Sequence, residues 1–129
     1  MTLDRLVVVR GAAGGLILAM PAALANVVLA DQDERSQGLL ALTAGVVVLG
    51  FVLAGLVAGI DAPHDGERHG QAAAALTFVL VEAVLLLGRL DRGAGISVPA
   101  IVIIALFALI GGTLGARLGA ARRAKKETP

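Results

Sequence analysis

Four apolar stretches, each long enough to cross a bilayer and each followed by a short charged segment, constrain this chain more than any other feature. The uncharged run Gly11 to Ala30 gives way to DQDERSQ (31–37), and the uncharged run Gly38 to Ile60 to DAPHDGERH (61–69). Gln71 to Leu90 is followed by DRGAG (91–95), and a last run extends from about Ile96 to Gly119. At ~1.5 Å rise per residue, twenty residues reach ~30 Å, the thickness of the hydrocarbon core. The pattern predicts spans at about 8–30, 38–60, 71–90 and 96–119, then a basic tail over 120–129, in a single integral membrane domain, 1–129. Connections this short make successive helices antiparallel neighbours. The expected fold is all-α: a polytopic membrane protein built as an antiparallel four-transmembrane-helix bundle.

Composition agrees, with 57% hydrophobic residues and charge confined to the punctuating segments. The absence of cysteine excludes disulfides, thiol catalysis and Cys-bound metal. Pro21 falls in the middle of the first span and removes the donor for the Ile17 carbonyl, so a kink is expected there. Ala23-Leu24-Ala25 after a basic start resembles a signal-peptide cleavage site; continuation of the apolar run to Ala30 favours a retained span. Pro99 sits in the first turn of the fourth span, where a missing N–H is harmless.

Orientation follows from the basic residues. One side collects Arg5, Arg10, Arg68, Arg117, Arg122, Arg123, Lys125 and Lys126, eight in all, against three (Arg35, Arg89 and Arg92) on the other. Both termini are therefore expected in the cytoplasm of a multi-pass cell-membrane protein. Without the tail the count is three against three, so the tail decides it. No Trp or Tyr is present to form an aromatic belt, which leaves charged flanks to set helix depth.

Within the third span stands one acidic residue, Glu82. An ionised group near a helix centre costs roughly 2.5–3.5 kcal/mol, while Leu, Ile, Phe and Val each return about 0.3–0.6. Nine such residues lie between Leu76 and Leu87, so the helix inserts and Glu82 is tolerated. Acidic groups at this depth face a bundle interior or a wet cavity. Ala72, Ala75, Val79, Glu82, Leu86 and Arg89 recur at helical spacing and form the expected buried stripe. Counting ~1.5 Å per residue from the outer edge puts Glu82 ~9 Å down, Asn26 ~6 Å and Thr43 ~8 Å. This common layer makes Asn26 and Thr43 the expected hydrogen-bond partners of Glu82, with Arg89, two turns along the same face, as the rival.

Glycine spacing carries the packing signal. Gly11/Gly15, Gly55/Gly59 and Gly111/Gly115/Gly119 put small residues on one face of a helix, which lets backbones approach closely. Intrachain packing is the expected use, and contact with a second copy or a membrane-protein partner is the alternative. Arg10-Gly11 and His69-Gly70, each followed by small residues, and then Gly55/Gly59 and Gly115/Gly119 also outline a faint repeat of two helices, offset by 59 to 60 positions, with convergence on small residues as the other explanation. Thr77 and Thr113 are read as bonding their own i−4 carbonyls. His64 and His69, with Asp61, Asp65 and Glu67, fit no established metal spacing and read as a solvated loop. Arg117, Arg122, Arg123, Lys125 and Lys126 make a stop-transfer flank in contact with the bilayer and its anionic lipid headgroups. Lacking aromatic neighbours, these cations do not suggest nucleic acid. Nothing in the sequence calls for a metal or other cofactor.

Arg10-Gly11 before a small-rich span, a second span ending FVLAGLVAG, a third opening HGQAAAAL and a fourth ending GGTLGARLGAARR together resemble uncharacterised four-span membrane proteins of actinobacteria. That resemblance implies the topology and no activity. Small multidrug transporters differ in placing their Glu in the first helix beside aromatics. Fluoride channels differ in the signatures of their second and third helices. The expected function is an accessory or scaffold role exerted through helix packing; a proton-coupled or ion-conducting transporter centred on Glu82, as an oligomer, is the alternative. One carboxylate without a second acid, Cys or His at its depth does not make a catalytic set, so an enzyme is not expected.

Overall fold

A computed structural model describes residues 2–128, in which four helices follow one another: α1 (Arg5–Ala30), α2 (Gln37–Asp61), α3 (Gly66–Asp91) and α4 (Val98–Glu127). By length and composition all four can cross a membrane. Three of them, α1, α2 and α4, start at short polar caps. Asp4 Oδ1 accepts from the Leu6 N–H at 2.9 Å, and the Ser36 and Ser97 hydroxyls accept from the Leu39 and Ala100 N–H groups. At the end of α3 the chain reverses through Gly93, whose φ of +68° suits glycine, and the Ala94 N–H returns to the Arg89 carbonyl at 2.9 Å.

Helix α1 is one continuous helix with Pro21 inside it. The basic tail is helical to Glu127, and it is tied back to the rest of the bundle. Arg117 pairs with Glu67 at 2.7 Å, Arg123 pairs with Glu127 at 3.0 Å, and the Arg123 guanidinium also donates to the Ala62 carbonyl. Lys125 and Lys126 lie in the last turn of α4, where they complement the negative end of the helix dipole.

Helices α2 and α3 each touch all three others, whereas α1 and α4 have no close approach among the described residues. The bundle is thus a rhombus with α2 and α3 across its short diagonal. Helices α2 and α4 run parallel: Phe51, Val52, Leu56 and Ile60 meet Gly111, Gly115 and Gly119 in the same order. At their crossing, Gly55 and Gly59 lie on the backbone of Gly112 and Ala116, while Gly115 and Gly119 lie on that of Val52 and Leu56. Gly55 and Gly115, like Val52 and Gly112, are sixty positions apart, so this interface has local twofold character. The twofold stops there, because α2 packs on α3 while its would-be equivalent, α1 on α4, is missing.

The half of the bundle nearer the termini is packed almost entirely by Gly and Ala. A Cβ on Gly15 would lie 2.6 Å from the Gly50 carbonyl oxygen and 2.7 Å from the Ala54 Cβ. Ala54, Ala58, Ala73 and Ala74 are fully buried. With lipid as solvent, no hydrophobic effect draws helices together, and this close backbone contact supplies dispersion energy in its place. Large apolar side chains instead point outward, as Ile17, Val79, Leu87, Ile110 and Leu118 do.

Candidate functional site

Where α2 and α4 diverge from their glycine crossing, toward the end of the bundle carrying the 31–36 and 92–97 connections, a cavity of about 360 Å³ opens. Asn26 and Val27 of α1, Ala44, Gly45, Val47 and Val48 of α2, Glu82, Leu85 and Arg89 of α3 with Arg92 just beyond it, and Ile103, Ile104 and Phe107 of α4 line it. Ala44, Gly45, Ile103 and Phe107 are exposed, so the opening faces sideways between α2 and α4. One turn nearer the termini from Val47 and Phe107, Phe51 and Gly111 close together, and the cavity ends.

Helix α3 supplies the charge. Glu82, Leu85, Arg89 and Arg92 follow at intervals of three, four and three residues, which brings all four to one side of the helix and places the carboxylate deepest. Glu82 is only 7% exposed, and its Oε2 has no hydrogen-bond partner. Arg92 Nη1 is likewise buried and unpartnered. Among the described residues no ion pair joins Glu82 to Arg89 or Arg92.

The expected polar layer is corrected in one respect. Asn26 and Thr43 meet, with the Asn26 amide donating to Thr43 Oγ1 at 2.8 Å and to the Leu40 carbonyl at 3.2 Å. The Thr43 hydroxyl donates in turn to the Leu39 and Leu40 carbonyls, each at 3.0 Å. Both amide protons and the hydroxyl proton are used up in this α1–α2 clasp. Asn26 therefore borders the cavity without sealing Glu82, and Thr43 is absent from its wall.

The buried stripe of α3 also differs from expectation. Gly70, Ala73, Ala74, Thr77, Val81 and Gly88 face the neighbouring helices, and Val79 is exposed. Small residues determine the rotation of α3, because Gly70 and Ala74 nest against Gly112. This rotation puts Glu82 at the edge of the packed face, where the cavity begins. Thr77 donates to the Ala73 carbonyl, and Thr113 donates to Leu109 while accepting from Gln71 Nε2 at 2.9 Å.

His69 corrects the reading of 61–69 as a solvated loop. It belongs to α3 and is 3% exposed; its Nε2 accepts from the Asp4 N–H at 3.0 Å while Nδ1–H donates to the Asp65 carbonyl at 2.9 Å. Both ring nitrogens therefore hold backbone, tying the start of α1 to the start of α3. Of the tail cations, Arg117 and Arg123 have ion-pair partners, while Arg122, Lys125 and Lys126 are exposed.

The fold defines a class, a small all-α protein with four membrane-span-like helices around a charged cavity. Comparison with protein-family models, with curated proteins and with solved structures gave no match.

Proposed function

We propose that this chain is a small transporter of the cell membrane, with both termini in the cytoplasm, that takes a small solute into the cavity beside Glu82 and couples its passage to protons. One observation carries the reading: a carboxylate oxygen, buried and without a partner, lines a cavity that has an opening. A purely structural acid at this depth would have its oxygens matched, since an unmatched buried polar group costs about 1–3 kcal/mol. A group left unmatched in reach of a cavity is available to a ligand.

The Gly and Ala packing on the terminal side bears on mechanism. It leaves no continuous path, so conduction through a standing pore is disfavoured and passage requires the α2–α4 crossing to open. The same closed packing is the observation that favours the second reading, an accessory or scaffold protein acting through its helices. In either case the lipid bilayer is the immediate partner, with Arg122, Lys125 and Lys126 placed for anionic headgroups.

Flux separates the two. In proteoliposomes containing a trapped pH indicator, gradients of small cations and zwitterions should drive proton movement with the wild-type protein and not with Glu82→Gln. Equal leakage from wild-type and variant vesicles across the whole panel would remove the transport reading and leave the scaffold.

A further inference from the structure

The two orphaned charges in the cavity are of opposite sign and lie at different depths, and this pair specifies a ligand more closely than either charge alone. Glu82 stands at the end of the cavity nearer the termini, and Arg92, with Arg89, at the end nearer the 92–97 connection. Between them the wall is apolar: Leu85 on the same helix, Val47 and Val48 opposite, and Ile104 and Phe107 from α4. Along α3, seven to ten residues separate the acid from the two arginines, an axial rise of ~10–15 Å along the backbone. The cavity volume of about 360 Å³ lies at the small end of the range for small-molecule sites, roughly 300–1,000 Å³.

Resting on the reading of this cavity as a solute site, we infer that its ligand is a small zwitterion with an apolar middle: an amine that meets Glu82 Oε2, and an acid group that lies on Arg92 and Arg89. A simple cation satisfies the carboxylate but leaves the guanidinium groups unmatched. A simple anion, held by the guanidinium groups, leaves the carboxylate unmatched. Only a molecule bearing both charges, held apart by a hydrocarbon segment, matches the orphaned oxygen and the orphaned nitrogen together, and the Leu85–Phe107 wall receives that segment. The side-facing opening between Gly45 and Phe107 allows the apolar segment to be threaded in from the bilayer while the acid group remains near water.

Dicyclohexylcarbodiimide, an apolar reagent that modifies carboxyl groups in apolar surroundings, reports occupancy directly. Its adduct on Glu82 is read by mass spectrometry of the purified protein, with Glu82→Gln as the unlabelled control. The probes are ω-aminooctanoate, octylamine and octanoate. We expect ω-aminooctanoate to protect Glu82 about tenfold more tightly than octylamine, the worth of one added charge-assisted hydrogen bond, and octanoate to protect least. Arg92→Gln should reduce ω-aminooctanoate to the level of octylamine, and Arg92→Lys, which keeps the charge, should restore part of the difference and guard against misfolding of the first variant. Labelling with equal protection by ω-aminooctanoate and octylamine overturns the zwitterion and leaves an amine-binding site intact. No labelling of Glu82 at all removes the accessible cavity, and with it both this inference and the transport reading.

Discussion

Asn26 and Glu82 both lie at membrane depth, yet only Asn26 has hydrogen-bond partners. The amide is shared between Thr43 and the Leu40 carbonyl, so that pair fastens α1 to α2. Glu82 Oε2 fastens nothing. Such an arrangement trades stability for a free polar group, and the trade is measurable. Glu82→Leu, close in volume and able to pack on Leu85 and Val47, should stabilise the detergent-solubilised protein by about 1–3 kcal/mol while abolishing any solute-driven flux. Reversible unfolding in a denaturing detergent checks the first half, and a loss of stability would mean that the carboxylate is matched after all. From sequence, residue counting places Asn26, Thr43 and Glu82 at similar depth but does not give the rotation of α3 about its axis. That rotation depends on where Gly70 and Ala74 nest on Gly112, and the carboxylate's own helix does not carry the information. His69 escapes for a related reason: its partners, the Asp4 N–H and Asp65 carbonyl, are backbone groups with no side-chain signature.

Helices divide the labour unevenly along their length. Where α2 and α4 cross, Gly55, Gly59, Gly115 and Gly119 stand against the other helix's backbone; where they diverge, Gly45 has nothing within 4 Å of the position a Cβ would take. A single substitution therefore has opposite consequences at two glycines. Gly115→Ala, whose added carbon would meet the Val52 carbonyl and lie 2.7 Å from the Leu56 nitrogen, should cost about 1–3 kcal/mol or more through overpacking. Gly45→Ala should be neutral or stabilise by up to ~1 kcal/mol, through helix propensity alone. Unfolding of the two variants side by side measures the contrast, and equal effects would contradict the crossing described here. The existence of four helices was legible because apolar length is a one-dimensional signal. Which glycines touch was not, since Gly50, Gly70 and Gly112 stand outside the regular four-residue spacing of Gly11/Gly15, Gly55/Gly59 and Gly111/Gly115/Gly119, yet pack as tightly. The cavity itself arises from the divergence of two helices and has no sequence pattern of its own.

At the scale of the whole molecule, the remaining asymmetry is one of charge. Arg5, Arg10 and Arg68 on the terminal side balance Arg35, Arg89 and Arg92 on the other, three against three, and the five cations from Arg117 to Lys126 tip the count. If both termini are cytoplasmic because of those cations, the orientation should depend on them rather than on the fold, since orientation responds to Lys and Arg near the membrane. Arg117 pairs with Glu67 at the surface, and Arg123 pairs with Glu127 and donates to the Ala62 carbonyl; surface pairs contribute only about 0–1 kcal/mol and one hydrogen bond about 0.5–1.5 kcal/mol, so removing them should leave the bundle folded. A chain free of cysteine makes the experiment direct. A single cysteine introduced at Gln32, in the 31–36 connection, should be labelled by a membrane-impermeant maleimide on intact cells, and one at Thr128 should not. Replacing Arg117, Arg122, Arg123, Lys125 and Lys126 together with Gln should bring both positions to partial labelling, the mark of a population inserted in two orientations. If Thr128 remained protected after all five changes, the hydrophobic spans or their order of insertion would have to set the orientation, and the cavity's outward-facing end would rest on something other than the tail.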